Sequence, residues 1–216
     1  HGIALDPDEQ RLFVSDQNNN RILVFDIHPD RLSNDPHAIA VLGQPDFYTN
    51  TPRFSGARAR PANRFGVRSI TPGGLDYDRL HKRLFVSQLP DNRILVFEAA
   101  PDKLQDNLEA FVVVGQPDFT TFDPVISQTR FAFPKDPSVD SEKQMLYVSE
   151  GFPGGNRVMA FDIRPDVLRN GLAALDVIGH VDDAGRDDFN RRMANDRLDA
   201  RTTTMARAVA LDAVDH

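Results

Sequence analysis

Thirty-two acidic residues, six histidines and no cysteine set the chemistry open to this 216-residue chain. Without cysteine there is neither a disulfide nor a thiol nucleophile. The most individual polar stretch is GHVDDAGRDD, Gly179 to Asp188. It gathers nitrogen and oxygen donors of the kind that hold Zn or Ca. His180, Asp182 and Asp183 form the candidate metal set, with Asp187 and Asp188 close behind, although the spacing matches no established metal loop. A second oxygen-rich run is SDQNNN, where Asp16, Asn18 and Asn20 alternate as at the start of a Ca loop. Arg21 stands where that loop needs Gly, and Ile27 where it needs Glu, so a strand-joining turn is expected.

The cations are patterned too. Asn-Arg recurs at Asn20-Arg21, Asn92-Arg93 and Asn156-Arg157. Three guanidinium groups in a ring could hold a carboxylate or phosphate. Recurrence at one register predicts instead an arginine that packs its stem between sheets and bonds loop carbonyls. Arg68, Lys135 and Arg207 precede the recurring Asp76, Asp140 and Asp212 by eight, five and five residues. They are the candidate ligand- or partner-binding residues, at one mouth of a ring, for an anionic ligand or an acidic surface. Ion pairing with nearby aspartates is the competing expectation. No Ser-His-Asp set, phosphate loop or pair of working carboxylates can be assigned, so no catalytic residue is named.

These residues sit on a repeat. Gly2 to Leu32, Gly73 to Leu104 and Pro137 to Leu168 align, and Ala208 to His216 begins a fourth copy. Aspartate recurs at Asp6, Asp76, Asp140 and Asp212. Each unit holds four short apolar runs, in the first Ile3 to Leu5, Leu12 to Ser15, Ile22 to Ile27 and Ala38 to Leu42, separated by Asn- and Asp-rich turns. Four strands per unit, repeated, predict propeller blades, which bury their faces only by stacking on neighbours. The expected boundaries are 1–72 for the first blade and its long loop, 73–136 for the second, 137–207 for the third and 208–216 for the first strand of a next blade.

The run LDPDEQRLFVSDQNNNRILVFD resembles an NHL repeat, through Asp6, Asp16, Asn20, Arg21, Ile22 and Phe25. The second unit matches at Asp76, Asn92, Arg93, Ile94 and Phe97, with Gln88 for the second Asp; the third matches at Asp140, Asn156, Arg157 and Phe161, with Glu150 and Val158 as departures. The resemblance implies an all-β propeller of NHL type, three four-stranded blades plus the first strand of a fourth, within a ring of about six blades. It implies little about activity, since related propellers include scaffolds, ligand binders and enzymes. The expected role is a non-catalytic scaffold for a protein partner or for self-assembly. The alternatives are a metal-dependent hydrolase or lyase with its site in the central channel, and a carbohydrate binder, which the lack of Trp disfavours. No cofactor is predicted; Ca and Zn are the candidate ions. Resemblance to exported long-loop propellers of bacteria, and a first residue that is not Met, suggest a processed or cut chain in the periplasm or outside the cell.

Net charge is −7 with a pI near 5.3, which disfavours a nucleic-acid partner. No apolar run approaches the roughly 18 residues of a membrane span. Three blades leave two sheet faces bare, so the chain reads either as part of a longer ring or as half of a dimeric one. VLGQPDF, Val41 to Phe47, returns as VVGQPDF, Val113 to Phe119. It is expected to punctuate the outer strand: glycine for a sharp turn, proline to end the ladder, phenylalanine to pin the next loop. In the third unit VIGHVDD keeps strand and glycine and is read as losing Gln, Pro and Phe.

Overall fold

The apolar runs fold as predicted, into three four-stranded antiparallel sheets. The structure, a computed structural model, describes residues 2–50, 74–151, 155–180, 186 and 188–190. In the first sheet β1 (Ile3–Asp6), β2 (Arg11–Asp16), β3 (Arg21–Asp26) and β4 (Ala40–Leu42) pair in chain order. The second repeats this with β5 (Leu75–Asp78), β6 (Arg83–Gln88), β7 (Arg93–Glu98) and β8 (Ala110–Val114). The third does so with β9 (Pro134–Asp140), β10 (Met145–Glu150), β11 (Arg157–Asp162) and β12 (Asp176–Ile178). The only helical turns among the described residues are Gln17–Asn19 and Leu89–Asp91, each joining the second strand to the third. No described helix is long and apolar enough to cross a membrane.

The same backbone device makes each turn. Gln10, Lys82 and Gln144 have φ of 53, 54 and 54° and close the first hairpin. Asn20, Asn92 and Asn156 have φ of 55, 53 and 51° and lead into the third strand. Asn tolerates the left-handed region best of the non-glycine residues, which explains its recurrence before Arg.

The sheets stack face to face as blades do, and this all-β, propeller-like order puts the core between them. Phe13, Ile22 and Val24 of the first blade meet Leu84, Val86 and Phe97 of the second. The opposite face of the second, with Phe85, Ile94 and Val114, meets Leu146, Met159 and Phe161 of the third. The first strands β1, β5 and β9 lie side by side.

One expected register changes. Asp6 lies opposite Arg11, and in the second blade it is Asp78 that lies opposite Arg83; Asp76 lies opposite Phe85. The counterpart of Asp6 is therefore Asp78, two residues beyond the aspartate picked out by repetition. Asp140 keeps its expected place, but opposite Met145.

Candidate functional site

The Asn-Arg pairs form one stitch, used three times. Arg21 Nε donates to Asp16 at 2.7 Å, Arg93 Nε to Gln88 at 2.5 Å, and Arg157 Nε to Glu150. Gln88 and Glu150, departures from the repeat by type, thus do the work of Asp16. The Nη1 of each arginine donates to a phenylalanine carbonyl: Phe47, Phe119 at 2.8 Å, and Phe189. Arg93 and Arg157 are fully buried. Burial pushes the Arg93 guanidinium down to about 10, against the pull of Asp91 and Asp118. Burial raises the Glu150 carboxyl, and the charge of Arg157 opposes it. These three arginines hold loops and do not converge on a ligand.

The repeated phrase supplies the other half of the stitch. Gly43, Gly115 and Gly179 have φ of 87, 84 and 107°. A Cβ on Gly115 would also run into the Phe131 ring. Gln44 Nε2 donates to the Asn20 carbonyl at 3.2 Å, and Gln116 Nε2 to that of Asn92 at 2.9 Å. Asp46 and Asp118 cap the next turn through the N–H groups of Tyr48 and Thr49, and of Thr120 and Thr121. The hydroxyl and N–H donors of Thr120 and Thr121 hold the Asp118 carboxyl down to about 2. In the third blade Gln and Pro are lost, as expected, but the Asp-Phe end of the phrase returns further along the chain. His180 stands at the register of Gln44, and Asp188 and Phe189 stand where Asp46 and Phe47 do; the Asn190 N–H donates to the Asp188 carboxylate at 3.1 Å, and the Asp188 N–H to the His180 carbonyl at 3.2 Å. Between His180 and Asp188 the segment is six residues longer.

This bears on the candidate metal set. His180 is fully buried at a position that closes a turn in its siblings, while Asp182 and Asp183 lie outside the described residues. Among the described residues no group of three or more metal-ligating side chains gathers. Asp16 also departs from a Ca loop, since both its oxygens accept from Asn19 at 2.9 Å and one from Arg21.

Of the candidate mouth residues, Arg68 and Arg207 lie outside the described residues, and Lys135 is on β9. The Lys135 carbonyl accepts from the Gly74 N–H at 2.9 Å, joining the first strands of two blades. Beside it is Asp136, whose carboxyl burial raises while the charge of Lys135 opposes the rise. Asp76 is also raised, mainly by burial, yet its two oxygens accept from Tyr77 at 2.8 Å and Val139 at 2.6 Å. Asp76 is thus a seam residue. Asp76 and Asp136 are the two acids of the described first strands that burial inclines toward their neutral form. The sequence offered no signal for Asp136, because its raised carboxyl comes from burial and not from its neighbours in the chain.

A second seam was also missed. Arg11 Nη2 donates to Asp6 at 2.6 Å and to the Ala99 carbonyl of the next blade at 3.0 Å. Arg83 Nε donates to Asp78 at 2.9 Å, while its Nη1 reaches the Ile163 carbonyl at 2.8 Å and its Nη2 reaches Gln144 Oε1 at 2.7 Å. Tyr77 Oη adds a bond to Asp6 at 2.9 Å, again across blades.

No family model matches the chain, and no curated protein matches it. Solved structures do. A protein of unknown function from Bacteroides thetaiotaomicron VPI-5482 is 19% identical, with a TM-score of 0.51 over 95% of this chain and 40% of that one. A candidate 6-phosphogluconolactonase from Bacteroides uniformis is 18% identical, with a TM-score of 0.48 over 86% of this chain and 45% of that one. A luciferin-regenerating enzyme is 15% identical, with a TM-score of 0.39 over 69% of this chain and 36% of that one. The chain spans less than half the length of each of these three. At such identity the likeness speaks to the fold alone.

Proposed function

We propose that this chain is an NHL-type propeller module acting as a non-catalytic scaffold, three blades of a ring of about six. What carries this reading is how its recurring polar residues are spent. Arg21, Arg93 and Arg157 each bind a strand-end side chain and a loop carbonyl of their own blade. Repetition of one bonding pattern marks structure, whereas a site breaks the repeat. The ring then presents its loops to a protein partner or assembles with like units, and the exported location suggested by the resemblance belongs to the same proposal. Elemental analysis of the purified protein tests it: substoichiometric metal is expected, and one tightly held Ca or Zn per chain would overturn it.

A further inference from the structure

The third strand of each blade ends in an acid, and an arginine holds two of the three. Arg31 Nε donates to Asp26 at 2.6 Å, and Arg164 Nη2 donates to Asp162 at 2.5 Å. In the second blade the strand ends in Glu98, one methylene longer. Ala100 stands at the register of Arg164, and Lys103, at the register of Arg31, lies 3.9 Å from Asp102 instead. Among the described residues nothing bonds or ion-pairs with the exposed Glu98 carboxylate.

Glu98 borders a cavity of about 210 Å³ at the seam between the second and third blades. His81, Arg83 and Phe111 of the second blade and Pro165 and Leu168 of the third complete its wall. At the preceding seam the same registers hold Glu9, Asp26 and Ile39 in place of His81, Glu98 and Phe111. Pro101 and Leu104 there match Pro165 and Leu168 in type. The cavity thus breaks the repeat at three of the residues that line it. Arg83 brings it no free charge. Its Nε and Nη2 donate to Asp78, Nη2 also to Gln144, and Nη1 to the Ile163 carbonyl. His81 Nδ1 stands 3.4 Å from the same Asp78 carboxylate. Glu98 is then the charge left for a ligand, and Phe111, 45% exposed, is the aromatic ring that shares the cavity with it.

We propose that this cavity is a binding site for a guanidinium group on an apolar stem, the arginine side chain of a protein partner. The sibling blades show the chemistry, since the same strand-end acid takes an arginine of its own chain wherever one is in reach. A guanidinium meets a carboxylate as a fork and an aromatic ring as a flat cation. Its methylene stem covers Pro165 and Leu168. That the arginine belongs to a protein rests on the scaffold reading; the guanidinium site does not. Metal found in the elemental analysis would overturn that reading and leave the affinity for a free guanidinium compound unchanged.

The test titrates n-butylguanidinium chloride into the isotope-labelled 216-residue chain and follows backbone amide shifts by NMR. Saturable shifts centred on Glu98, Phe111 and Leu168 are expected at millimolar ligand. Glu98→Gln removes the charge from an exposed side chain and should weaken binding about fivefold or more. Ala100→Arg supplies the internal arginine that Asp162 has, and should weaken it about as much. n-Butylurea, neutral and of similar shape, should bind the wild type about fivefold more weakly than n-butylguanidinium. Shifts that do not saturate overturn the site, as does unchanged binding in E98Q or A100R, or equal binding of n-butylurea. Acetyl-arginine amide should bind within about threefold of n-butylguanidinium, because Glu98, Phe111 and Pro165 line the cavity from exposed positions. A greater loss overturns the arginine of a partner. The amide spectrum of each variant reports its fold. If E98Q loses it, A100R reads the same bond, and n-butylurea reads it on the wild type.

Discussion

Asp78 shows how one side chain couples the fold to pH. Burial alone would raise its carboxyl, but the hydrogen bonds and charge of Arg83, helped by Ser141 and Gln144, hold it below the usual 3.8. A carboxyl depressed by folding contributes stability that is fully present above its unfolded value and is lost as pH falls through the folded one. Asp78→Asn should therefore cost about 2–3 kcal/mol at pH 7, because Arg83 keeps only neutral acceptors. The gap to wild type should close as pH drops below about 4. Urea unfolding across pH 2–8 checks both; a gap independent of pH would mean that the ion pair contributes nothing. Glu150 runs the other way. Its raised carboxyl binds a proton more readily in the fold, so its ionisation costs stability as pH rises above the ordinary value for glutamate.

At the scale of the element, the turn after the outer strand carries the most information. Gly115 combines a φ of 84° with a backbone pressed against Phe131. Gly115→Ala would pay both for a left-handed alanine and for moving a buried ring. The expected loss is on the order of 3 kcal/mol or more, read from thermal or urea unfolding. A loss below about 1 kcal/mol would show that Phe131 moves aside freely. Much of this element was legible. Repetition exposed GQPDF, and glycine and proline chemistry predicted punctuation. The exposed Pro45 and Pro117 agree with that reading, as does the buried Phe119. The third copy escaped notice because six added residues separate His180 from Asp188, so a contiguous pattern search stops at the glycine. Asp78 escaped for a different reason. Side chains on a strand alternate with a period of two, so a slip of two residues leaves every apolar position on its own face. Asp76 and Asp78 are then indistinguishable by periodicity, and only the pairing of Asp78 with Arg83 separates them.

Across the whole molecule, stability follows the stack of blades, each coupled to its neighbours. Arg11 spans the first seam through Asp6 and Ala99, and Arg83 spans the second. Replacing Arg11 by Met copies the residue at Met145. It leaves Asp6 buried without its main partner, a loss on the order of 3 kcal/mol. Hydrogen exchange should then quicken in β1–β4 while β9–β12 keep their protection. Uniform quickening would show that the blades unfold as one unit.

By itself the sequence determined the unit of construction: four short strands, three times over, with Asn, Gly and Asp at the turns and an arginine after each Asn. Those are local matters of φ, of apolar alternation and of hydrogen bonds between near neighbours, and they recur because each blade solves the same problem. Only the tertiary structure decided which aspartate faces which arginine, and that Phe189 completes the third stitch. It alone showed that burial raises the half-buried Asp136 carboxyl, and left Gln10 with an acceptor that its counterpart Gln144 satisfies. The Arg157–Phe189 bond joins groups 32 residues apart and the Gln144–Arg83 bond groups 61 apart, while the five-residue step from Asp78 to Arg83 is undecided because a period of two places Asp76 on the same face.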